Sequence, residues 1–135
     1  MFDPPSFLRV VAFAVIFGGI EYRYVNRREA QWTREVPGFD EKPVFWLYAP
    51  YHFYFLLPLL IVVSFTPSVS AWAGNVFYAA LAEDVAYFVW RGKTVMRGEW
   101  TTQLFGSFQL GKVTVPAWWP LDALIVTAFY LLPFV

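Results

Sequence analysis

The chain has 135 residues and no cysteine, so it can form neither a disulfide nor a thiolate metal site and has no Cys nucleophile. Ten basic and ten acidic residues balance to a formal charge of zero, which excludes the basic footprint of a nucleic-acid-binding domain. A composition 59% hydrophobic and 22% aromatic, with mean hydropathy +0.48, leaves too few polar residues to cover a water-soluble core, so a single membrane domain over residues 1–135 is expected.

In chain order, the first apolar stretch predicts a helix over about residues 7–25, with Ser6 as its cap and Pro4 and Pro5 just outside. Residues 1–5 carry no basic charge, so this stretch is expected to be a permanent helix rather than a cleaved leader. Arg9 can snorkel to the interface, and Gly18-Gly19 thins the helix for a close neighbour. Residues 23–43, dense in both signs of charge, read as a solvated loop. A second helix is predicted over about residues 44–65, interrupted by Pro50 and Pro58, with His52 between them. After a turn at residues 66–68 comes a third helix, over about residues 69–90, whose Ser70 and Gly74 form a small-xxx-small pair. Residues 91–119 form a second polar segment. Strand-like alternation around Gly106-Ser107 suggests an interfacial hairpin there, and Trp100, Trp118 and Trp119 suit the headgroup level. A short fourth helix, over about residues 117–134, ends the chain.

The fold class expected is therefore an all-α integral membrane protein, a four-transmembrane-helix bundle with an interfacial hairpin between helices 3 and 4. Its orientation follows from charge. Arg23, Arg27, Arg28, Arg34 and Lys42 fall in one polar segment, and Arg91, Lys93, Arg97 and Lys112 in the other. With four spans both segments lie on one side, which the positive-inside rule makes cytoplasmic, leaving both termini extracytoplasmic.

Within this frame the acidic pair Glu83-Asp84 is anomalous. These are the only formal charges between Val69 and Trp90, and a carboxylate near a helix centre opposes insertion by about 2.5–3.5 kcal/mol. An intramembrane ionisable residue implies a compensating partner and a functional site. His52 lies about eight residues into helix 2, roughly 12 Å from the cytoplasmic side. Glu21, His52, Glu83, Asp84 and Asp122 all fall in the cytoplasmic half, with at least one on every helix. Glu83, Asp84 and His52 are the candidate catalytic groups, as a general acid/base set. Tyr51, Tyr54, Tyr87 and Trp100 are candidate substrate-binding residues at similar depth. Glu21, His52, Glu83, Asp84 and Asp122 together could hold a divalent metal, the one cofactor considered, although the Glu-x-x-His spacing of di-iron bundles is lacking. A proton relay through the same groups is a third chemistry. Structural roles compete: Asp122 as a helix cap, Glu21 paired with Arg23 or Arg91, and His52 bonded to a carbonyl freed by proline.

The run Glu83-Asp84-x-x-Tyr87-Phe88 resembles the paired-acid-x-x-aromatic run of membrane carotenoid cyclases of the lycopene cyclase type. It covers about six residues without the usual preceding proline, and the resemblance implies isoprenoid chemistry. The function expected is acid/base or metal-assisted chemistry on a lipid-like substrate. The alternatives are a non-catalytic accessory subunit of a membrane complex and a small proton-coupled or ion-conducting oligomer. Membrane lipids are the expected partners, and at this size a homo-oligomer or a complex partner is expected under either reading; nucleic acid is not.

Overall fold

The computed structural model describes residues 2–25, 52–97, 99–103 and 105–131. Residues 44–51 of the expected second helix, the loop before them and residues 132–135 lie outside the described residues.

Helix α1 spans Pro4–Ile20 and runs directly into a π-helical turn, Glu21–Val25. It begins earlier than the sequence suggests: Asp3, in an extended conformation, is the cap residue, and its carbonyl accepts the Phe7 amide at 3.0 Å. Pro4 and Pro5 fill the first turn, where a missing amide costs nothing and a fixed φ favours the helix. Ser6, the expected cap, is instead buried inside the first turn. A second π-helical turn, His52–Leu56, leads into α2, Leu57–Val63. It immediately precedes Pro58, where the lost amide disturbs the regular ladder.

Helix α3 spans Val69–Arg91. The Ser68 hydroxyl caps its start by accepting the Ala71 amide at 3.3 Å, and Gly92 at φ 66° ends it in the left-handed conformation that glycine adopts without strain. A single helical turn, Trp100–Gln103, is followed by an antiparallel pair of strands, β1 (Ser107–Leu110) and β2 (Val113–Pro116). The expected hairpin is present, but its turn is at Gly111-Lys112, beyond the Gly106-Ser107 centre of the alternation. Gly111 at φ 62° takes the first position of a two-residue loop, where a positive φ matches the twist of the strands. Helix α4, Trp118–Leu131, completes the described chain.

Helix α3 is the central element, with α1 on one side and α4 on the other. Val10, Phe17, Leu56, Leu60 and Ala79 form the main apolar core between α1, α2 and α3. Tyr87, Phe88 and Val95 form a second cluster against Trp119. The approach of α1 to α3 is closest at Gly18, where an added Cβ would stand 2.8 Å from the Tyr87 amide nitrogen and 3.0 Å from the Glu83 carbonyl oxygen. Both are backbone atoms of a packed helix and cannot step aside. Gly18→Ala is therefore expected to push α1 off α3 and lower stability by about 1–3 kcal/mol, read as thermal unfolding in detergent. Gly19→Ala meets only the Trp90 ring and should cost less.

Polar groups are buried beside the apolar core, and many large apolar side chains are exposed. Ser6, Ser64, Ser70, Asn75, Glu83, Asp84, Thr101 and Asp122 are buried, whereas Leu8, Ile16, Tyr54, Val62, Val89 and Leu124 face outward and are exposed. Among the described residues one helical stretch, Pro4–Tyr24, has the length and mean hydropathy (1.4) to cross a membrane; signal sequences and core helices share those properties. Residues Tyr54–Val63 and Trp118–Leu131 are apolar but shorter.

Candidate functional site

Two polar centres sit on α3 about nine residues apart, roughly 13 Å along the axis. The first surrounds Asn75. Its amide nitrogen donates to Ser6 Oγ of α1 at 2.9 Å and to the Ser64 carbonyl at the end of α2 at 3.2 Å. Its amide oxygen accepts the Tyr130 hydroxyl of α4 at 2.7 Å. One side chain thus joins the other three helices to α3. Tyr130 can reach Asn75 because Gly74 has no side chain: a Cβ there would stand 2.8 Å from the Tyr130 ring. Around this centre Ser70 Oγ bonds the Phe129 carbonyl, Thr66 Oγ1 donates to Asp3 Oδ2 at 3.2 Å, and Arg9 Nε donates to the Val63 carbonyl at 2.8 Å. Hydrogen bonds from Ser6 and Thr66 hold the Asp3 carboxyl below the usual carboxylate range.

The second centre surrounds Asp84. Asp84 Oδ2 accepts the Trp119 indole N–H at 2.7 Å and the Thr101 hydroxyl at 2.9 Å, and Thr101 Oγ1 in turn accepts the Trp118 indole N–H at 3.0 Å. Thr101 and Asp84 are almost fully buried. The helical turn after α3 and the start of α4 are therefore both tied to one carboxylate of α3. Next to it, Arg91 clasps Glu99 through both carboxylate oxygens, at 2.6 and 3.2 Å, donates to the Thr94 carbonyl at 2.8 Å and lies 4.5 Å from the Phe88 ring centre. These contacts fold residues 92–103 back against the end of α3.

The expected site residues divide between these surroundings. Glu83 is buried on the α1 side of α3, where its carbonyl meets Gly18. Glu21 is buried in the π-helical turn. Arg91 pairs with Glu99, a partner the sequence reading did not name; Glu21 had been its expected one. Asp122 is not a cap: it lies inside α4, three residues after Trp119 on the same face, buried with Oδ2 unpaired among the described residues. Tyr87 is buried between Phe88 and Tyr22, with ring centres at 5.1 and 6.0 Å. Tyr54 is 85% exposed, on the outer surface. Tyr51 and the side chains of His52 and Trp100 lie outside the described residues. Among the described residues no three acidic or histidine side chains converge to hold a metal ion.

A groove of about 370 Å³ opens between α3, the residues after it and β2; Trp119, which bonds Asp84, lines it, and Asp84 itself does not. Val85, Phe88, Val89, Val113 and Trp119 line it, with Lys93 at its mouth. Its size falls in the range of small-molecule sites, about 300–1,000 Å³. Neither Lys93 nor the groove was singled out from sequence. Trp119 held the available clue, because a buried indole N–H needs an acceptor and Asp84 is a strong one at matching depth. No family model matches the chain, and no curated protein or solved structure is significantly similar to it.

Proposed function

We propose that this is a small multi-pass integral membrane protein, its four helices spanning the bilayer and its basic segments cytoplasmic, that binds a lipid-like amphiphile in the groove beside Trp119. The observation that carries this reading is the groove itself, an apolar trough along the α3 surface with a wall pinned to a buried carboxylate. The polarity of the bundle supports the membrane setting: many large apolar side chains are exposed, and polar groups bond helix to helix. Asp84 acts as a positioning residue. Its Oδ2 is taken by two donors, one of them the Trp119 indole that lines the groove, while Asp84 itself does not line it.

Mass spectrometry of gently solubilised protein tests the reading. The isolated chain should carry a lipid adduct, and Val89→Trp, which fills the groove from an exposed position, should lose it while keeping its unfolding temperature. A bare wild-type chain that instead brings down a stoichiometric protein partner would replace this reading with that of an accessory subunit.

A further inference from the structure

We infer that the groove selects an acidic phospholipid of the cytoplasmic leaflet, with Lys93 recognising the headgroup phosphate; this rests on the lipid-binding reading above. The groove is polarised along the axis of α3. Along α3 it is lined by Val85, Phe88 and Val89, all apolar, and past the helix terminus by Gly92, Lys93, Thr94 and the apolar Val95. From Val85 to Arg91 the helix rises about 9 Å, so the change from hydrocarbon to charge follows the direction in which a lipid of that leaflet lies, acyl chain inward and phosphate outward.

Charge complementarity determines the class of headgroup. Lys93 is exposed, makes no ion pair among the described residues, and no acidic residue lines the groove. Glu99, six residues further on, is held by Arg91. The wall opposite α3 is equally suited. Val113 and Thr114 of β2 present an apolar and a hydroxyl side chain, and Trp119 adds an indole, the side chain that suits the headgroup level of a bilayer. An ammonium group on a flexible stem, at headgroup level and with free donors, binds phosphate as a point charge. Cytoplasmic leaflets supply such anionic lipids.

Adduct formation with added phosphatidylglycerol and phosphatidylcholine, measured on the full chain in neutral detergent at low salt, tests the inference. The wild type should prefer phosphatidylglycerol by about fivefold, the increment expected for one lysine at a charged surface. The preference should persist in Lys93→Arg, vanish in Lys93→Gln and shrink as salt is raised. Equal binding of both lipids by the wild type, with both excluded by Val89→Trp, would overturn acidic selectivity and leave the lipid-binding reading standing. Binding of neither lipid would overturn both.

Discussion

Replacing Asp84 with leucine should release the segment between α3 and α4 while leaving the helices folded. The substitution strands two donors, the Thr101 hydroxyl and the Trp119 indole, and indirectly loosens Trp118. Each buried donor left without an acceptor costs about 1–3 kcal/mol, enough to loosen the segment from Thr101 to Trp119, while Arg91–Glu99 and Val95 still hold its first residues. Limited proteolysis should then cut between Thr101 and Ala117, and the tryptophan emission should shift to longer wavelength. Because Trp119 forms a wall of the groove, lipid retention should fall by about tenfold or more, the equivalent of about 1.4 kcal/mol. Asp84→Asn keeps an acceptor oxygen of the same shape and should retain most of the protection. If the leucine variant resists protease as the wild type does, Asp84 is not the anchor of this segment, and the positioning role assigned to it is lost.

Asn75→Leu should be the most destabilising change at the opposite end of α3. It removes three bonds at once, to Ser6, to the Ser64 carbonyl and from Tyr130. Interhelical hydrogen bonds in membranes average about 0.6 kcal/mol and reach about 1.7, so the three together contribute about 2–5 kcal/mol. Tyr130→Phe removes one of them and should cost about a third as much. The double variant should be no less stable than Asn75→Leu alone, since the tyrosine hydroxyl then has no partner to lose. Unfolding temperatures in detergent decide this. Additive losses in the double variant would mean that Tyr130 and Asn75 act independently.

The two centres have different consequences for the molecule. Asn75 joins all four helices and makes its end of the bundle a fixed base. Asp84 holds the hairpin segment through two side chains, one of them reached by a four-residue helical turn. The Asn75 bonds therefore lie at one end of α3 and the groove at the other.

What the sequence by itself determined is helix over the described apolar stretches, strand pairing between the last two helices and the location of the anomaly. Apolar runs bounded by prolines, Ser68 before α3 and Gly92 after it carry local signals strong enough to read without a fold. The same holds for the acidic pair, because a charge in an apolar helix stands out whatever packs against it. The hairpin turn, by contrast, lies at Gly111-Lys112 and not at Gly106-Ser107, because alternation alone does not fix the register. The boundary errors are also local: Pro4 and Pro5 fit inside the first turn of α1 as well as before it. Only the tertiary structure decided which carboxylate does what. Glu83 and Asp84 are adjacent in sequence but about 100° apart around α3, so one faces α1 and the other faces Thr101 and Trp119. The partners of Asp84 lie 17 and 35 residues away, a separation with no periodicity to reveal it. Asn75 looked like an ordinary polar residue on a small-residue face for the same reason, since its three partners come from three other helices. The groove exists only because the chain after Gly92 turns back on α3, a turn held by Arg91 and Glu99 across eight residues of irregular chain.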